Sequence, residues 1–67
     1  MDLTLNGEAF DLPGDTATVA DLLAHLGKSG IPIAVEVNKQ LIRKREHEST
    51  SLRKGDAVEM VTLVGGG

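Results

Sequence analysis

An α+β fold, with one main helix packed on one face of a mixed sheet of four to five strands, is predicted by three features of the chain. Apolar and polar residues alternate near both ends, which is the period of a half-buried strand. One segment between them, Val19 to Leu26, switches to helical spacing. The resulting order is strand, strand, helix, strand, short strand, long strand, so the helix follows a hairpin and precedes the rest of the sheet. A chain of 67 residues buries only about 60% of the surface its unfolded form exposes, enough for one modest core and one domain.

The first strand is read from Met1, Leu3 and Leu5 alternating with Asp2, Thr4 and Asn6. Asn6-Gly7 is the dipeptide that favours a tight hairpin, and Phe10 and Leu12 continue the alternation on the returning strand. Pro13-Gly14-Asp15 ends the hairpin, because proline presets φ for a turn and glycine accepts the positive φ that other residues resist. Val19, Leu22, Leu23 and Leu26 then recur at i, i+3, i+4 and i+7, with Asp21 and His25 off that stripe. Thr18 and Asp21 resemble a capping box, and Gly27 stands where a left-handed C-terminal cap belongs. Leu22 and Leu23 are expected in the core.

Beyond Pro32, Ile33-Ala34-Val35-Glu36-Val37 reads as a strand, and Leu41-Ile42 as a short one after an Asn38-Lys39-Gln40 turn. The polar stretch from Arg43 to Ser51 has no clear period and reads as irregular, with room for one short helical turn. Lys54-Gly55-Asp56 is a further turn. Ala57 to Val64 is the longest strand candidate, with Val58, Met60, Thr62 and Val64 on one face and Glu59, Val61 and Leu63 on the other. A last strand that returns parallel to the first would close the sheet, the arrangement called the β-grasp. Residues 1–64 then form the domain, and 65–67 a flexible glycine tail.

Composition removes several function classes. Hydrophobic residues are 40% and charged residues 25% of the chain, the balance of an ordinary globular domain. There is no cysteine, hence no disulfide, no thiolate metal site and no thiol nucleophile. A net charge of −3 and a single aromatic, Phe10, argue against a nucleic-acid surface and fit a basic protein partner better. Apolar runs are short and Met1 leads into Asp2 and a polar turn, so neither a leader nor a membrane association is expected, and a cytoplasmic location is.

The tail Gly65-Gly66-Gly67 is what composition does not predict. At an average glycine content of about 7%, two terminal glycines arise by chance on the order of half a percent of the time, and three far less often. One reading makes them a flexible end or the remnant of a linker. The other is that a tail without Cβ atoms threads a narrow channel in a partner and delivers the carboxylate of Gly67 to its active site. A free carboxylate is a poor acyl donor, so a partner would have to activate it with a nucleotide. Nothing in the chain could do so, for it has no phosphate-binding glycine loop, no Ser-His-Asp set and no metal-ligand cluster.

His25 on the helix and His47 in the irregular segment have no ligand partner at suitable spacing and read as surface histidines. Glu46 and Glu48 beside Arg43, Lys44 and Arg45 read as a solvated face. Val61 and Leu63 lie opposite Val58 and Met60, and two readings stay open. They form either a minor cluster under the 43–51 segment or an exposed patch for docking a partner, with Val64 continuing it toward the tail.

Taken together these residues resemble the bacterial thiamin-pathway sulfur carrier family over essentially the whole chain. The resemblance rests on Asn6 and Gly7, on Thr18-Val19-Ala20-Asp21-Leu22-Leu23, and on Val35-Glu36-Val37-Asn38 with Leu41-Ile42. Gly55-Asp56 and Val64-Gly65-Gly66-Gly67 complete it. No single piece is specific; their order and spacing are. It implies a β-grasp carrier, not an enzyme, that binds no cofactor itself. An E1-like adenylating enzyme, similar to the ubiquitin-activating class, would use ATP to adenylate the Gly67 carboxylate. Sulfur from a cysteine desulfurase would replace AMP to give a thiocarboxylate, and thiazole synthase would accept the sulfur. One departure is Arg43, where the family often has proline. The similar small subunit of molybdopterin synthase is typically longer, with aromatics and prolines before its glycines, where this chain has Val61-Thr62-Leu63-Val64. A carrier for another sulfur pathway and a non-covalent β-grasp interaction module are the remaining alternatives.

Overall fold

The computed structural model describes residues 1–63. Strands β1 (Asp2–Leu5) and β2 (Glu8–Asp11) form the first hairpin, and β3 (Ala17–Thr18) leads into helix α1 (Val19–His25). Strands β4 (Ile33–Val37) and β5 (Gln40–Ile42) form a second hairpin, followed by a short 3-10 turn over Lys44–Glu46. Strands β6 (Ser51–Leu52) and β7 (Ala57–Thr62) complete the chain. The main sheet has the order β2-β1-β7-β4-β5, with β1 and β7 parallel and the other pairs antiparallel. This is the β-grasp arrangement that the element order predicts, and it puts the last strand in the middle of the sheet.

Both hairpins turn in two residues with positive φ, Asn6 (51°) with Gly7 (83°) and Asn38 (51°) with Lys39 (68°). Such turns match the right-handed twist of the strands, and asparagine tolerates the left-handed region better than most residues. The second turn therefore comprises Asn38 and Lys39 alone, and Gln40 already belongs to β5. In α1 the reciprocal capping box is present: the Asp21 N–H donates to Thr18 Oγ1 (3.1 Å), and the Thr18 N–H donates to Asp21 Oδ2 (2.9 Å). At the other end Gly27 has φ 71°, while the N–H groups of Gly27 and Lys28 donate to the carbonyls of Ala24 and Leu23. Those two bonds are the Schellman pattern that closes a helix at a left-handed glycine.

The core lies between α1 and one face of the sheet. Leu22, Val19, Val35 and Val58 are fully buried, and Leu3, Leu12, Leu23, Leu52 and Met60 surround them. Each such aliphatic side chain contributes about 1.5–3 kcal/mol by leaving water. Thr62, expected on the Val58 face, sits at the strand's end and is exposed.

Besides the shorter second turn, two features differ from the sequence reading. Ala17–Thr18 and Ser51–Leu52 pair as a small second sheet, so the end of the 43–51 segment is a strand rather than irregular chain. His47 is not a surface histidine: only 8% of it is exposed, and its Nε2 donates to the carbonyl of Ile42 at 3.2 Å. The 43–51 segment runs beside the start of the helix, where Val19 and Ala20 donate backbone hydrogen bonds to Thr50 and His47, and that position encloses the ring. Arg43 has φ −72°, a value a proline ring could hold, but its N–H donates to Glu46 Oε1 (3.1 Å), a bond proline could not make.

Candidate functional site

Strand β7 leads directly to the C-terminal tail. Val64, Gly65, Gly66 and Gly67 lie outside the described residues, so the expectations placed on them rest on sequence. What the structure shows is the base from which they extend. β7 is held by β1 on one side and by β4 on the other, in registers Leu5↔Val58 and Val35↔Met60. Just past its end, the Leu63 N–H donates to the carbonyl of Pro32 (2.9 Å), which carries the pairing one step beyond the strand.

Two asparagines from the hairpin turns tie β7 further. Asn6 Oδ1 accepts from the Met60 N–H (2.8 Å), and the Asn6 N–H donates to the Val58 carbonyl (2.8 Å). Asn38 Oδ1 accepts from the Ala57 N–H (3.0 Å), while its Nδ2 donates to Asp56 Oδ1 (3.0 Å). The side chain that favours positive φ at each turn thus also satisfies a β7 backbone donor. These bracing roles are not visible in the sequence, where Asn6 is only a turn signal and Asn38 only a turn residue.

The helix covers one sheet face and the other is open. Val61 is 63% exposed and Leu63 52%, which decides between the two sequence readings: neither is covered by the 43–51 segment, which packs on the helix side. Leu41 of β5 is also exposed, and Ala34 stands opposite Val61 in register. An apolar strip therefore runs along the open face to Leu63, the last described residue, beside an acidic stretch where Glu36 of β4 stands directly opposite Glu59 of β7. The sequence reading did not identify this carboxylate pair; the two-residue period together with the β4–β7 register would have been needed to find it.

The remaining candidates separate cleanly. His25 is exposed and meets Phe10 edge-to-face, with ring centroids 6.0 Å apart. No group of three or more metal-ligating side chains, around either histidine or elsewhere, occurs among the described residues. The Arg43–Glu48 run is exposed except at His47, and no Lys or Arg forms an ion pair with a carboxylate among the described residues. Among the described residues no helix is long and apolar enough to cross a membrane.

The comparisons with known proteins agree with this geometry. The ThiS family model matches residues 3–67. The sulfur carrier protein ThiS of Bacillus subtilis is 38% identical over 65 residues, covering 97% of this chain and 98% of that protein. A protein of Magnetococcus marinus named thiazole synthase is 34% identical over 67 residues, all of this chain but only 20% of that longer protein. Among solved structures, the thiamine biosynthesis protein ThiS of Geobacter metallireducens superposes with a TM-score of 0.85 at 32% identity, each chain covered completely. With the family pattern spanning nearly every residue and the β-grasp sheet matching a solved member throughout, the chain belongs to the ThiS family.

Proposed function

We propose that the chain is a sulfur carrier of thiamin biosynthesis and is loaded at the carboxylate of Gly67. One observation carries the reading: the strand that precedes the triple-glycine end in the sequence, β7, is the central strand of the sheet, and the exposed side chains of Val61 and Leu63 lie at its C-terminal end. The braced strand fixes the point from which the chain continues, an apolar patch docks the partner, and residues without Cβ atoms pass a narrow channel. The chain supplies no catalytic group of its own. An adenylating enzyme joins the carboxylate to AMP from ATP with loss of pyrophosphate. The terminal sulfur of a cysteine desulfurase's persulfide then attacks the acyl adenylate and displaces AMP, and a thiol cleaves the S–S bond of the resulting acyl disulfide, becoming a disulfide with the sulfur donor's cysteine and leaving a thiocarboxylate on Gly67. Thiazole synthase as the acceptor is supported by the likeness of this chain to part of a protein of that name. A cytoplasmic site of action fits this set of partners.

Removing Gly67, or adding one residue after it, is expected to abolish loading by the cognate adenylating enzyme with ATP and a sulfur source. Thermal unfolding should not change, since a terminal residue adds almost nothing to stability. Full thiocarboxylate formation by the deletion variant would falsify the carrier reading.

A further inference from the structure

On the helix side of the sheet, one small cavity is lined by basic side chains alone among its ionisable groups. It measures about 60 Å³ and lies where the region after α1, the start of β4 and the 3-10 turn meet, with Lys28, Lys44 and His47 in its wall and no carboxylate. The chain has ten Asp and Glu against seven Lys and Arg, and two other cavities combine Asp15 with Arg53, so a wholly basic lining runs against the rest of the surface. Neither lysine pairs with a carboxylate among the described residues. Glu46, two positions from Lys44, accepts from the Arg43 N–H instead. The buried His47 supplies a second, independent observation. Its Nε2 donates to the Ile42 carbonyl, while its Nδ1 has no partner among the described residues. No fully enclosed side-chain nitrogen or oxygen there lacks a partner, so Nδ1 is not sealed, and the cavity is the space this ring borders.

From this juxtaposition we propose that the cavity is a binding site for inorganic phosphate. With its proton on Nε2, a neutral imidazole presents a lone pair at Nδ1 and accepts a hydrogen bond there. A fitting ligand is therefore an anion toward the two lysines and an O–H donor toward His47. Inorganic phosphate at neutral pH is both: it keeps at least one P–OH for Nδ1, and its charged oxygens accept from the ammonium groups of Lys28 and Lys44. Sulfate has the same shape and no proton to donate. A phosphate monoester, whose last proton leaves at a pH of about 6, lacks it as well. The volume is several times the roughly 10–15 Å³ that one water needs, which suits a single tetrahedral ion. Pro32 also lines the cavity and its carbonyl accepts from the Leu63 N–H, so the ion sits behind the point where β7 ends. Because it joins the region after the helix to the 3-10 turn in the folded chain alone, bound phosphate stabilises the fold. The site is independent of how the tail is loaded.

The test follows the ring nitrogens of His47 and the backbone amides by NMR in the 67-residue chain, at about pH 7.5 and constant ionic strength, as phosphate or sulfate replaces chloride. Phosphate should shift His47 Nδ1 and the amides of Lys28 and Lys44 in one saturable step, half complete at about 1–10 mM, and should raise the thermal midpoint. Sulfate should bind at least about tenfold more weakly, because it leaves Nδ1 unpaired against an anion. Lys28→Gln/Lys44→Gln should weaken phosphate about tenfold or more, while its own midpoint in chloride stays within about 2 °C of the parent. Should the double variant fail to fold, Lys44→Gln alone, at an exposed position, should still weaken phosphate about threefold. Equal binding of sulfate would overturn the assignment, since Nδ1 would then be a donor and any small oxyanion would fit. The absence of a saturable shift up to about 50 mM phosphate, or a shift that the lysine variants leave unchanged, would overturn the site itself.

Discussion

The two faces of β7 carry side chains of the same kinds under opposite conditions. Val58 and Met60 point at the helix and are 1% and 8% exposed, whereas Val61 and Leu63 face water at 63% and 52%. The strand and the residue just past it thus anchor the core with one set of alternate positions and leave the other set exposed. The difference teaches that folding and partner recognition are separable here by parity along one strand. Substitutions on the two faces should fail in different assays.

The largest effect on the folding side is expected at the helix residue that packs against this buried face. Leu22→Ala should cost about 2–5 kcal/mol, a large share of a small domain's stability, and lower the thermal midpoint sharply. A midpoint within a degree or two of the parent would mean that the core does not rest on this helix face. On the open face the prediction reverses. Leu63→Asp should leave the midpoint close to the parent and raise the carrier concentration needed for half-maximal adenylation by about tenfold. If it unfolds the protein instead, Leu63 is part of the core and parity does not separate the roles.

Gly66→Ala moves the contrast past the strand: loading should slow while unfolding is indifferent, for the reason that a Cβ obstructs a narrow channel. Loading at the parent rate would remove the channel argument without touching the carrier function. On stability, a smaller effect than that of Leu22→Ala is expected at the Asn38 brace. Asn38→Ala should lose about 1 kcal/mol for its two exposed side-chain hydrogen bonds together and about 1–2 kcal/mol for an unsuited residue at positive φ. Asn38→Gly should lose only the first of these, and chemical denaturation of both variants would show the gap. Equal losses would indicate that the turn's backbone is not what asparagine is there to provide.

Much of the fold was legible because local rules decide it. Asn6-Gly7 requires a tight turn, Thr18 and Asp21 satisfy the free N–H groups at the helix start, and Gly27 takes the left-handed position at its end. That Val61 and Leu63 point away from Val58 and Met60 followed from the pleat, whereas their exposure depends on the 43–51 segment packing on the helix side. Strands β3 and β6 were not legible, since two residues show no period and their pairing joins positions 17–18 to 51–52. His47 was misjudged for a related reason. Its burial depends on where the 43–51 segment packs and on a carbonyl five residues earlier, and a polar, aperiodic sequence around it announces neither. In the candidate site, the tail was conspicuous by composition, whereas the Glu36–Glu59 opposition depends on the β4–β7 register. Separate segments of the chain do not reveal such a register.

The central claim is that the carboxylate of Gly67 is the group exchanged, and intact mass spectrometry addresses it most directly. The unmodified 67-residue chain is incubated with its cognate adenylating enzyme, ATP and a sulfur source, then weighed and fragmented. The account predicts a product heavier by about 16 Da, the exchange of one oxygen for sulfur, with the added mass confined to the fragment that ends in Gly67. An unchanged mass under conditions where the enzyme consumes ATP on this carrier, or added mass located anywhere but the terminal residue, would contradict it.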